Sequence, residues 1–547
     1  MKVINYLLIL FSFLIAGCSG SNNDALPSTN NNSTGNTQTT VNPAPVSGVY
    51  FIADKNAYRF DELYVAETGQ TTPRKLSKLP DHGFDLKVID FKLSPNNQWV
   101  AYSISNLVGG AGSELYIVPT IGGDPIYIAG DVLRQEPSVG PYEWAPDSTK
   151  LAFRTYNYVS AHNLFVTNPN GTEISKVSVD FTPLNNSTYQ GVYDSYWSPD
   201  SQYIAIVYTG IFGVPHQYEL YVVRPDGTEH QKLSQTLSAN SLGVQAVTWS
   251  PDAQKLSFLA DYNAWLDYDL YTVNRDSSAH TRLTDNTIVG KVFGGYQWSP
   301  NSNYLAYHAS LNNGQTLEIY TVHPDGTNNI KVSGDATETQ GAGGMTWSPD
   351  SSYLAYLADF GTDNIDELYV VRPDGTELNK VSGTLVANGY VTNLYTWSPD
   401  SSHLAYVADQ DTENLFELYT VKPNGLDNIK ISGAAVASLG QIEDFSWSPN
   451  SQRVGFRSFL LTNSNVELYS VNTDGTNLIT NSGVLDLNRH VQSFLWSPDG
   501  STIAYTADQD TDNILELYSV NSDATSLNKI SGDPFLGGSI KKYQFEN

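Results

Sequence analysis

Two acidic stretches hold the residues best spaced for chemistry. "ADQDTENLFELY" carries Asp409, Asp411 and Glu413, and "ADQDTDNILELY" carries Asp508, Asp510 and Asp512. Carboxylates at alternate positions can turn hard oxygens toward one cation, as at the start of a calcium loop. Calcium is therefore the one cofactor these residues would take. Asn414 and Asn513 stand where a turn glycine belongs, and the acid at the twelfth position is missing, although Glu417 and Glu516 lie nearby. The competing expectation is a solvated hairpin closed by Asx turns.

Aromatic and histidine side chains offer other chemistry. Tyr156 and Tyr158, then Phe212 with His216, then Tyr262 and Trp265 occupy one loop position in three consecutive stretches. Large rigid rings there suit protein or sugar contact; the other expectation is that they fold down over their own strands. His82, His162, His216 and His490 map to the same side, without the close spacing of a metal-binding helix or ribbon. Glu219, Glu367, Glu417 and Glu516 each precede "LY", with Lys232, Lys380, Lys430 and Lys529 thirteen residues on. Such recurrence points to a structural bond and not to catalysis. No G-x-S-x-G elbow, H-E-x-x-H, phosphate loop or dinucleotide fingerprint occurs, so no enzyme is expected.

A repeat must position these residues. "WSPDSSYLAY" at Trp347 returns as "WSPDSSHLAY" at Trp397, and the phrase starts at Leu93, Trp144, Trp197, Trp249, Trp298, Trp347, Trp397, Trp447 and Trp496. Each copy holds an apolar run ending at Trp, an "SPDS" turn, a strand such as "LAYLAD", a loop, a strand such as "ELYVV", a "PDGT" turn and a short last strand. "LAY" and "LYVV" are apolar at adjacent positions, which suits sheets covered on both faces. Sheets of this kind repeated radially make a β-propeller of four-stranded antiparallel blades. The recurring Trp is then a wedge between blades.

Residues 48–77 match a repeat without its first strand, and "SIKKYQFEN" at the end matches a first strand with Phe545 in the Trp place. Pairing of these segments closes about ten blades into one ring; two adjacent smaller propellers are the alternative. Both tight turns fall on one side of such a ring. The longer, variable loops fall on the other, where binding residues usually sit.

The "WSPD…LAY…ELY…PDGT…K.SG" pattern resembles the TolB-like, WD-type propeller repeats of the bacterial envelope, over residues 48–547. The resemblance implies a binding or scaffold protein engaging an envelope protein partner. Its alternative implication is a metal-dependent glycan-active enzyme, similar to oligosaccharide lyases, with histidines around the propeller mouth. A third expectation is capture of a small ligand or peptide in the channel.

Residues 1–17, with Lys2 and the apolar run "VINYLLILFSFL", resemble a lipoprotein signal peptide that ends in "IAGC" at Cys18. That resemblance implies lipidation of Cys18 and an outer-membrane lipoprotein facing the periplasm or the cell surface. Residues 18–46 read as the lipidated Cys and a disordered polar tether averaging roughly 30 Å, and 47–547 as the propeller. Cys18 is the only cysteine, so no disulfide is expected. A net charge of −28 argues against nucleic acid and anionic lipid, which leaves the N-terminal lipid as the sole membrane contact.

Overall fold

The computed structural model describes residues 43–546, apart from 55–59, 71, 81–85, 107–111, 131–137, 158–159, 180–190, 210–216, 239–240, 263–265, 285–291, 311–316, 335–340, 361–364, 434–440, 461–463 and 533–537. Residues 1–42, which include the expected signal, Cys18 and most of the expected tether, lie outside the described residues. Pro43–Asn547 form one compact unit.

Among the described residues there are forty strands and no helix, in eight four-stranded sheets and one eight-stranded sheet that holds two four-stranded repeats, each repeat being one blade. Blade one is built from both ends of the chain: strands 48–54, 61–67 and 74–75 plus Ile540–Phe545. Blades two to ten span 86–130, 138–176, 191–232, 244–282, 292–331, 342–380, 391–430, 442–480 and 491–529. Within each blade neighbouring strands pair antiparallel in sequence order, for example Trp397 opposite Leu404 and Leu404 opposite Val421. In blade one Val49 lies opposite Phe545, so the tail supplies the missing first strand. Blades three and four are also joined by one parallel pairing, His162 with Gly191.

The buried clusters lie between blades. One joins Leu357, Leu368 and Val370 of blade seven to Val391, Trp397, Leu404 and Tyr406 of blade eight. This is why "LAYLA" and "LAYVA" are buried at every position. The tyrosines of "LAY" and "ELY" stack on each other, as Tyr406 does on Tyr419 at 5.4 Å.

The wedge tryptophans have a second role. Trp397 is buried, and its indole N–H donates to the Thr346 carbonyl, one residue before the Trp of the preceding blade, at 3.2 Å. Trp144, Trp197, Trp249, Trp347, Trp447 and Trp496 repeat this contact at Lys92, Glu143, Tyr196, Gln297, Thr396 and Ser446. Trp298 instead reaches Ser257 Oγ. The last two junctions use other groups: Tyr543 donates to Ser493 Oγ at 3.0 Å, and Lys542 donates to the Phe91 carbonyl at 2.9 Å. Every blade is thus bonded to the next, and the tenth to the first. The fold is one closed β-propeller.

The turn side is tied as well. In "SPDS", and in "SPNS" of blade nine, the last serine takes a positive φ, 63° at Ser401 and 60° at Ser451. Its hydroxyl accepts the backbone N–H of the Asp one blade earlier: Asp350 to Ser401 and Asp400 to Ser451, both at 3.0 Å. The fourth strand of most blades is only two residues long, which leaves little open edge for another chain to pair with.

Candidate functional site

Where it is described, the loop after the second strand of a blade meets, on one rim, the loop that leads in from the fourth strand of the preceding blade. Two complete pairs of such loops are described, 381–390 with 409–416 and 481–490 with 508–515. Each pair is fastened by the Asp that ends the second strand. Asp409 is buried and accepts from the Tyr390 N–H at 2.6 Å and the Asn414 N–H at 3.0 Å. Asp508 accepts from the His490 N–H at 2.7 Å. In blade five Asp261 accepts from Ser241 Oγ, Leu242 N, Gly243 N and Leu266 N.

These contacts show where the acidic residues go. Asp411 is exposed and pairs with Lys430 at 3.0 Å, and Asp510 pairs with Lys529 at 3.1 Å. Glu413 accepts from Asn388 Nδ2, and Asp512 is exposed. The three acids of each loop are not brought together: the first is turned into backbone and the second toward a lysine. Among the described residues no group of three His, Cys, Asp or Glu side chains could hold a metal ion.

The recurring glutamates form the expected bonds. Lys232 pairs with Glu219 at 2.5 Å, Lys430 with Glu417 at 3.1 Å and Lys529 with Glu516 at 2.8 Å; Lys380 pairs with Glu367. The tyrosine two residues on donates to the second carboxylate oxygen, as Tyr518 does to Glu516 at 2.6 Å. Burial and the adjacent carboxylate hold the Tyr518 phenol protonated, far above its ordinary range.

Of the histidines, His82 and His216 lie outside the described residues. His490 Nδ1 accepts the Val466 N–H at 3.1 Å. His162 is half-buried beside Tyr156, their rings 5.6 Å apart, and burial lowers its pKa. Tyr158, Phe212 and Trp265 also lie outside the described residues. Tyr156 is 42 % exposed on the rim. Tyr262 is folded down over its own blade, against Tyr271 and His280, and its hydroxyl accepts the Gln235 N–H at 3.0 Å. For Tyr262 the packing of blade five prevails over display.

The structure adds aromatic residues to the same sector. First strands approach each other between blades two and three, seven and eight, and ten and one, which sets them at the inner edge of the ring. Each carries a bulge, and in blade four the extra residue is Tyr193, between Val192 and Asp194. Tyr193 is 56 % exposed and meets Tyr218 edge-on, ring centroids 4.7 Å apart. With Asp194, Tyr196, Val207, Val244, Gln245, Ala246 and Val247 they line a cavity of about 220 Å³ between blades four and five. Ala246, at the blade-five bulge, holds φ 50°, a strained value for a residue with a Cβ. Tyr193 could have been singled out in the sequence as a large ring in a strand position that holds Gly343 in blade seven and Gln492 in blade ten.

No protein-family model and no curated protein matches this sequence. Among solved structures, a eukaryotic initiation factor aligns over 91 % of this chain and 98 % of its own, at 11 % identity and a TM-score of 0.50. A putative TolB from Agrobacterium tumefaciens aligns over 47 % of this chain and 83 % of its own, at 20 % identity and a TM-score of 0.27. An oligogalacturonate lyase in complex with manganese aligns over 62 % and 88 %, at 15 % identity and a TM-score of 0.34. The likeness is one of fold.

Proposed function

We propose that this protein is a non-catalytic binding module of the bacterial cell envelope. A lipid on Cys18 holds it to the outer membrane, and the long-loop rim of the propeller engages a protein partner. The observation that carries this reading is the loop 483–490. Val484 is 96 % exposed and Leu487 is 74 % exposed, while Leu485 between them is buried.

The loop is fastened on both sides of these residues: before them the Gly483 N–H donates to the Tyr505 hydroxyl at 3.4 Å, and between them the Leu485 carbonyl accepts from Asn465 Nδ2 at 3.1 Å. The Asn488 N–H donates to Asn465 Oδ1 at 2.9 Å, the His490 N–H to Asp508, and the Arg489 side chain to the Asp508 carbonyl at 2.6 Å. A loop held this way has already lost much of the entropy that binding would otherwise cost. Covering Val484 and Leu487 would contribute roughly 3–6 kcal/mol before the cost of association. Nothing in the fold calls for either side chain to stand in water.

The test is the double variant Val484→Asp with Leu487→Asp, compared with wild type by crosslinking in intact cells. The partner recovered with wild type should be lost from the variant, while the melting curve stays unchanged because both side chains are exposed. Undiminished crosslinking to that partner would refute the reading.

A further inference from the structure

We propose that the cavity between blades four and five binds one ring of a neutral saccharide. It lies apart from the Val484–Leu487 loop and does not rest on the rim contact proposed above.

Size comes first. At about 220 Å³ the cavity is smaller than the roughly 300–1,000 Å³ of pockets that enclose drug-sized molecules. It suits a single ring or one side chain.

Charge narrows the guest further. Arg154 lies 3.4 Å from Asp194 and donates to the Tyr193 carbonyl, so the one carboxylate of the lining already has a cationic partner. A cationic side chain would find Asp194 already paired. An anion would meet the Asp194 carboxylate inside a chain of net charge −28. An uncharged guest meets neither penalty.

The polar lining excludes a purely apolar one. Asp194 accepts from Tyr196 at 2.7 Å and from the Ser195 N–H at 2.9 Å, and its side chain stays partly open to solvent. Gln245 uses one N–H on the Tyr268 hydroxyl at 2.8 Å, which leaves its carbonyl and second N–H for a guest. An apolar guest would strip water from these groups and return no hydrogen bond. A pyranose supplies what remains: a C–H face to lie on the exposed Tyr193 ring, and a hydroxyl edge for Asp194 and Gln245. Both walls carry a bulge, at Tyr193 and at Ala246.

The experiment is saturation-transfer NMR on the mature chain with a panel of neutral probes: glucose, galactose, mannose, N-acetylglucosamine and their short oligomers. At least one should receive saturation. Its affinity should fall about tenfold or more in Tyr193→Ala and in Gln245→Ala, and hold within a few-fold in Tyr193→Phe, which keeps the ring. The Val484→Asp, Leu487→Asp protein should bind it as wild type does, so the two proposals can fail separately. Tyr193 and Gln245 are exposed, and unchanged melting would confirm that their variants fold. Transfer to no neutral probe would overturn the proposal, and so would binding indifferent to Tyr193→Ala. A stronger Tyr193-dependent signal from an acidic sugar or a lysine peptide would overturn it too.

Discussion

Replacing Asp261 with alanine removes a fully buried carboxylate that accepts four hydrogen bonds: 2.6 Å from Ser241 Oγ, 2.7 Å from Gly243 N, 2.9 Å from Leu242 N and 3.2 Å from Leu266 N. A hydrogen bond to a charged group contributes about 1.5–3 kcal/mol, and each orphaned buried N–H costs about 1–3 kcal/mol. The rim is close to water, and part of that loss is recovered by hydration. The expected cost is therefore about 3–5 kcal/mol. Asp261→Asn, which keeps one acceptor and puts a donor where the other was, should cost about half as much. Urea unfolding measures the total, and native-state amide exchange locates it. Exchange should quicken at Leu242, Gly243 and Leu266 while the strand amides of blade nine stay protected. A cost below about 1 kcal/mol with unchanged exchange at those amides would refute the latch. So would a calcium-dependent rise in wild-type stability that Asp261→Ala abolishes, because the carboxylate would then be serving a cation.

Two further outcomes follow from buried groups. Burial pushes His308 down from 6.5 to about 4, so between those values the unfolded chain binds a proton that the folded chain does not. Stability therefore falls as pH drops from about 6.5 to about 4, by up to about 3 kcal/mol from this group. His308→Leu, the residue found at the matching position Leu357, should flatten that stretch of the urea-midpoint profile; parallel profiles would contradict it. Deleting residues 540–547 strips the first strand from blade one and uncovers Phe51, Ala53 and Leu517. It should broaden and lower the melt, and a peptide of those eight residues added in trans should restore it. A melt indifferent to the deletion would contradict ring closure.

What could be read from the sequence was what it repeats. The Trp wedge, the "SPDS" turn, the Glu–Lys pair and the tail in the place of a first strand recur with near-constant spacing, and local chemistry gives each one role. Residues whose role depends on a partner from another loop were harder. Asp409 and Asp508 have the spacing of a cation loop, but what they meet is the backbone of Tyr390 and His490, about nineteen residues upstream. Tyr262 shares a loop position with Tyr156, yet space above Tyr271 lets it fold down. Tyr193 reaches the cavity only because a bulge breaks the period of two along its strand, and hydrophobic alternation cannot reveal a bulge.

The most direct test of the binding account is a photocrosslinking amino acid placed singly at position 484, at 487 and, on the opposite side of the ring, at Asp374 in an exposed "PDGT" turn. The account predicts one recurrent protein adduct from 484 and 487 and none from 374. The same adduct from 374, or its absence from both loop positions, would contradict it.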